Sequence, residues 1–171
     1  PSSPYDLTML GIGGAIGIPS LLESRLDDNE QAAVEHLFAI HQAQADFRSS
    51  NHYQKKKRTF ANTSDGAGVK DLWKLADGTA IDLIDEELAS AVVPEKALDG
   101  YYFVFIDTGR DGEVFDFARD YAVCAVPERH ARSGKNTFVM NESGRIYKKD
   151  TGGEAVLRFP DVKKDEWERA D

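Results

Sequence analysis

The chain has 171 residues, 41% of them hydrophobic and 30% charged, with a formal net charge of -9. That length suits one globular core with an appended helix, and the acidic balance argues against nucleic acid as a main partner, since phosphate binding relies on clustered Lys and Arg. Cys124 is the single cysteine, which excludes an intrachain disulfide.

The first element, Leu7 to Leu22, carries no charge and contains Gly11, Gly13, Gly14 and Gly17. As a helix rising about 1.5 Å per residue it reaches roughly 24 Å, short of the roughly 30 Å core of a bilayer. Each glycine costs about 1 kcal/mol in a helix interior but lets helix backbones approach closely. The glycine spacing also resembles a dinucleotide fingerprint, yet no strand precedes it and no βαβ unit follows. Pro1 to Asp6 lacks the basic region of a signal peptide.

The apolar run passes into an amphipathic helix pattern ending at Phe47, with Ala33, Leu37, Ile40 and Phe47 on one stripe and Val34, Phe38 and His41 beside it. This stripe is expected to pack on a sheet, with His41 at its edge. A metal role for His41 lacks a second ligand at helical spacing, because His36 lies on a different face.

Ser49 to Gly78 is polar and rich in turn residues, so it reads as a long connection. Within it Lys55 to Arg58 is a basic run, read as a solvated loop or as a contact to an acidic neighbouring subunit, and Lys70 to Leu75 is a short helix or docking turn with Trp73 packed on the head. Ile81 to Ala91 has helical spacing, ended by Pro94. Tyr101 to Ile106, Tyr121 to Val126 and Asn136 to Asn141 are aromatic and β-branched, and a turn at Asn141 to Gly144 leads into Arg145-Ile146-Tyr147. Short strands joined by turns predict an antiparallel meander, hence an α+β fold with one long helix against the sheet. Cys124, inside a strand pattern, is expected to be a buried and inert thiol.

The order of Ala15-Ile16-Gly17-Ile18-Pro19, Leu21-Leu22-Glu23-Ser24-Arg25, Asn29-Glu30 and Ala32-Ala33-Val34 resembles the N-terminal helix of type IV pilins and of the pseudopilins of type II secretion. Ile84 to Ala89 ahead of Gly100-Tyr101-Tyr102-Phe103, and Thr137 to Ile146 after the Ser133-Gly134 turn, are similar to the loop and last hairpin of such heads. The resemblance implies a filament or membrane segment at 1–28 and a pilin-like globular head at 29–171. It implies a structural subunit rather than an enzyme, polymerising with copies of itself into a helical filament at the cell surface. Before assembly the subunit would wait in the inner membrane and be handled by pilus or secretion machinery. Leu10, Ile12, Ile16, Ile18, Pro19 and Leu22 are the residues expected to be packed by neighbouring copies, with the backbone around Gly17 to Pro19 departing from the helix on assembly. The alternative is a monomeric membrane-tethered or periplasmic binding module with the same head. The family pattern has a glutamate near its start, whereas no glutamate here precedes Glu23, which leaves Asp6 as the only acid for that part.

Asp107 to Asp116 gathers several carboxylates in one turn-rich loop. It reads first as an acidic hairpin whose Asp-Gly steps serve the turn. Its second reading is a calcium loop with Asp107, Asp111 and Glu113 as side-chain ligands, since Ca2+ takes six to eight oxygens. Pseudopilin heads carry a calcium site, and the resemblance brings that possibility here. The four histidines have no nucleophile motif beside them. Asp27-Asp28 and Glu86-Glu87 read as helix-start charges or solvated faces.

Overall fold

The structure is a computed structural model that describes residues 17–171. Leu10, Ile12 and Ile16 lie outside the described residues, as do the side chains of Ile18 and Pro19. The chain forms a long helix α1 (Gly17–Ser49), a short helix α2 (Glu86–Ser90) and five strands, β1 (Tyr101–Ile106), β2 (Ala122–Pro127), β3 (Thr137–Asn141), β4 (Ile146–Lys149) and β5 (Glu168–Arg169). Single 3-10 turns occupy Gly68–Leu72 and Pro94–Lys96. The strands pair antiparallel in sequence order, β1-β2-β3-β4-β5. The expected α+β fold with a meander is therefore the fold observed.

Helix α1 packs across β2 and β3 because its apolar stripe has a sheet face to cover. Ala33, Leu37, Ile40, Ala43 and Phe47 are buried against Tyr101, Phe103, Val123, Ala125, Phe138 and Met140. The same stripe buries Gln44, whose amide donates to Ala61 O (2.9 Å) and accepts from Ala61 N (2.8 Å). Those two bonds tie the polar connection to the helix. Phe38 was expected beside the stripe, but it is exposed: it is one residue past Leu37, about 100° round the helix and off the sheet-facing arc.

The opposite face of the sheet has its own cover. Alternate β2 residues Ala122, Cys124 and Val126 point away from α1 and pack with Ile106 and Val139. The segment that follows β4 lays Val156, Phe159 and Trp167 over them before β5 closes the edge. All six positions of β2 are therefore buried, the pattern of a strand covered on both faces.

Ile81 to Ala91 is not one helix. Asp82 has φ 56, and the amides of Ile81, Asp82, Leu83 and Ile84 donate to the Trp73 and Leu72 carbonyls, which holds this stretch extended across the connection. Only from Asp85 does a helix form, its carboxylate capping the Leu88 amide at 2.9 Å. Glu86 and Glu87 then occupy its first turn, where the macrodipole favours them. Asp27 and Asp28, by contrast, are exposed well inside α1.

Pro19 falls in the first turn of α1, where the missing N–H costs no helical hydrogen bond.

Candidate functional site

The helix is hooked to the head at one point. The Asn29 amide donates to Ser133 O at 2.9 Å. The Glu30 carboxylate accepts from the backbone amides of Lys135 (3.0 Å) and Asn136 (2.9 Å) and from the Asn136 side chain. Asn136 O in turn accepts the hydroxyl of buried Tyr101 at 2.5 Å. Two adjacent helix residues thus anchor the β2–β3 connection and fix the direction in which α1 leaves the head.

Ahead of that hook the helix stands clear. Ser20 through Arg25 is exposed, and Leu21 keeps 72% of its surface in solvent. Between this segment and the β2–β3 connection runs a groove of about 760 Å³, lined by Leu21, Leu22, Arg25, Glu128, Arg129 and Arg132 among others. The connection that carries Arg129 and Arg132 is held rigidly. Arg132 N and Ser133 N donate to Arg129 O, Ala131 N donates to Gly134 O, and Arg129 N donates to Ser133 Oγ. Ala131 sits at φ 63, a conformation costing on the order of 1 kcal/mol that persists only where its surroundings impose it.

The acidic hairpin lies at the other end of the strands. It is closed by Gly109 N to Glu113 O (3.0 Å), Gly112 N to Gly109 O (2.9 Å) and Phe115 N to Asp107 O (2.9 Å). Asp107, Asp111 and Glu113 are exposed along it. Among the described residues no three His, Cys, Asp or Glu side chains converge so as to hold a metal, so these three are not gathered into a calcium shell. Two arginines stand at this loop: Arg110 pairs with Asp161, and the Arg158 guanidinium stands against Gly112.

The histidines are engaged in packing and pairing. His36 meets Asp99 and His130 meets Asp150, at 2.9 and 2.8 Å. His41 Nδ1 meets the Tyr121 hydroxyl at 2.8 Å, at the edge of the core as expected. His52 stacks near Phe47. In the basic run, Lys55 pairs with Asp65 and Lys57 with Asp116, all in exposed positions. Cys124 is buried, and burial pushes its thiol up to about 12.

One constellation had no signal in the sequence. Asp71, almost fully buried, accepts the Tyr53 hydroxyl (2.5 Å) and the Ala67 amide (2.7 Å), and burial followed by that bond raises the tyrosine's pKa. It pins the connection from the inside. Trp73 beside it is half-buried against the core, as expected.

Among the described residues no helix is long and apolar enough to cross a membrane. No curated protein and no solved structure matches the chain. Residues 15–167 match one family model, and they take in the hooked helix, strands β1 to β4 and the strap over the second face of the sheet: the chain belongs to DUF2950, a family of proteins of unknown function.

Proposed function

We propose that this protein is the structural subunit of a type IV pilus-like or pseudopilus filament, polymerising through its N-terminal helix. One observation carries the reading: the mismatch between helix and sheet. At about 1.5 Å per residue α1 is about 50 Å long, whereas the six-residue strands beside it span about 20 Å. Of that excess, Gly17 to Asp28, about 18 Å, precedes the Asn29–Glu30 hook at one end of the head. A helix that a monomeric head needed only for its core would stop near the sheet edge.

The uncharged run of Leu7 to Leu22 supplies what such a projection requires, an apolar surface that other copies bury. Leu10, Ile12, Ile16, Ile18, Pro19 and Leu22 are the residues assigned to that packing. The subunit is a non-enzymatic component of a cell-surface filament, held in the inner membrane before assembly and handled by pilus or secretion machinery.

Electron microscopy of sheared surface material tests it, using the wild-type chain and Ile16→Asp. Filaments that contain the chain and disappear with Ile16→Asp are expected, since an unpaired charge in an apolar core costs several kcal/mol. A wild-type chain recovered only as a membrane-bound monomer overturns the reading in favour of a tethered binding module.

A further inference from the structure

We infer that the arginine-lined groove beside the projecting helix receives the acidic hairpin of the next copy of this chain, joining heads end to end along the strand direction. The inference rests on the filament reading and names the head-to-head contact within it. The two surfaces sit at opposite ends of the same sheet. β1 begins at Tyr101, next to Pro127 and the turn that carries Arg129 and Arg132, and ends at Ile106, next to Ala122 and the hairpin. About 17 Å of strand separates them.

They are complementary in two independent properties. The groove is lined by Leu21 and Leu22 and by Arg25, Arg129 and Arg132, against a single acid, Glu128. None of the three arginines is in an ion pair among the described residues. The hairpin offers Val114 (64% exposed), with Leu157 (79% exposed) beside it, held there by the Thr108 hydroxyl, which donates to Leu157 O. Around that apolar pair stand Asp107, Asp111 and Glu113, likewise outside any ion pair among the described residues. Arg110 is engaged by Asp161, so Arg158 is the one guanidinium there that lacks such an acid.

The local match decides between partners. Exposed leucines beside arginines also suit an anionic lipid surface, and the net charge of -9 opposes that surface and a second copy alike. A second copy brings the matching carboxylates and the matching apolar knob together. Because the groove and the hairpin are different surfaces, the contact is heterologous, and such contacts build open filaments when the rotation does not close.

Full-length chains separate the possibilities. Arg129→Glu with Arg132→Glu, and separately Asp111→Lys with Glu113→Lys, should each lower filament yield about tenfold or more, since like charges juxtaposed across an interface are strongly disfavoured. All four changes together should restore assembly towards the wild-type yield. Melting temperatures of the soluble pools should stay at the wild-type value, because all four side chains are exposed. Wild-type filaments that both double variants form equally well overturn this contact and leave the filament reading standing. Loss of assembly in both doubles without recovery in the quadruple variant also overturns it, as does loss of sedimentation with phosphatidylglycerol vesicles as the sole effect of Arg129→Glu with Arg132→Glu. A wild-type chain that stays monomeric overturns the filament reading and this contact with it.

Discussion

Glu30 accepts the backbone amide of Asn136 at 2.9 Å across 106 positions of sequence. With the Lys135 amide at 3.0 Å on the same oxygen, one carboxylate satisfies two donors at the start of β3, and the helix takes its exit angle from them. Removing it leaves the exposed Lys135 N–H to water and the half-buried Asn136 N–H without its acceptor, and a half-buried donor left unmade costs about 1–3 kcal/mol. Glu30→Ala should therefore lower the unfolding free energy by about that much, read as a lower urea midpoint at an unchanged denaturant slope. Glu30→Gln keeps an acceptor oxygen but no charge, so it should recover part of the loss. Equal stability of Glu30→Ala and wild type would show that the hook contributes nothing.

Gly134 lies under the same hook. A Cβ built there would overlap the Tyr101 ring, which is fully buried and held by its bond to Asn136 O. The ring has no room to retreat. Gly134→Ala should cost about 1–3 kcal/mol by overpacking. Gly109→Ala is the control, since its new Cβ meets Phe115 at an ordinary 3.5 Å and no positive φ is required. It should be neutral or stabilise by about 0.4–1 kcal/mol through the unfolded chain. Thermal melts of the pair check the contrast, and a Gly109→Ala loss as large as that of Gly134→Ala would defeat the steric account.

How much of this was legible depended on how local the signal was. Tyr101 to Ile106 is a strand because aromatic and β-branched residues there fit a pleated, half-buried surface, and the stripe Ala33, Leu37, Ile40, Phe47 reads straight into the core. Glu168–Arg169 carries no such signal, and β5 exists only because the strap returns the chain to the β4 edge. Ile81 to Ala91 failed as a helix because non-local carbonyls of Leu72 and Trp73 claim its first amides. The Asn29–Glu30 pair was visible as a motif. Its targets, more than 100 positions away, were not, and neither was the meeting of Arg25 with Arg129 and Arg132, which only the helix path brings about.

Alkaline pH should unfold this protein. Burial raises the Cys124 thiol from its ordinary 9.0 to about 12, and burial likewise raises the hydroxyls of Tyr53, Tyr101 and Tyr121 from 10.0. Below about pH 9 both states hold these protons. Above it the unfolded chain releases protons that the folded chain keeps, so the unfolded state binds fewer and stability falls as pH rises. Denaturant midpoints should be level from about pH 7 to pH 9 and then drop steeply towards pH 11, in the window set by those groups. Cys124→Ala, less stable throughout because it leaves a small cavity, should show a shallower drop between pH 9 and 10. A flat profile to about pH 11 would mean that the four groups ionise in the folded state.

Gln44 is the only amide side chain in the helix stripe, and its fully buried position is explained by reciprocity: it gives one bond to Ala61 O and takes one from Ala61 N. The polar connection has no strand pairing at that point, so the side chain stands in for a ladder partner. Gln44→Leu keeps nearly the same volume and gains apolar contact, which taken alone favours the variant. Against that, it strands a buried N–H and a buried C=O, each with a desolvation cost of about 1–3 kcal/mol. The orphaned pair outweighs the transfer gain, and a net loss of about 2 kcal/mol follows. Hydrogen exchange distinguishes this from general loosening. The Ala61 amide should lose protection first and most, while amides of β2, buried on both faces, should change only by the global loss of stability. Uniform acceleration across both segments would assign the loss to core packing instead of to the Ala61 bonds.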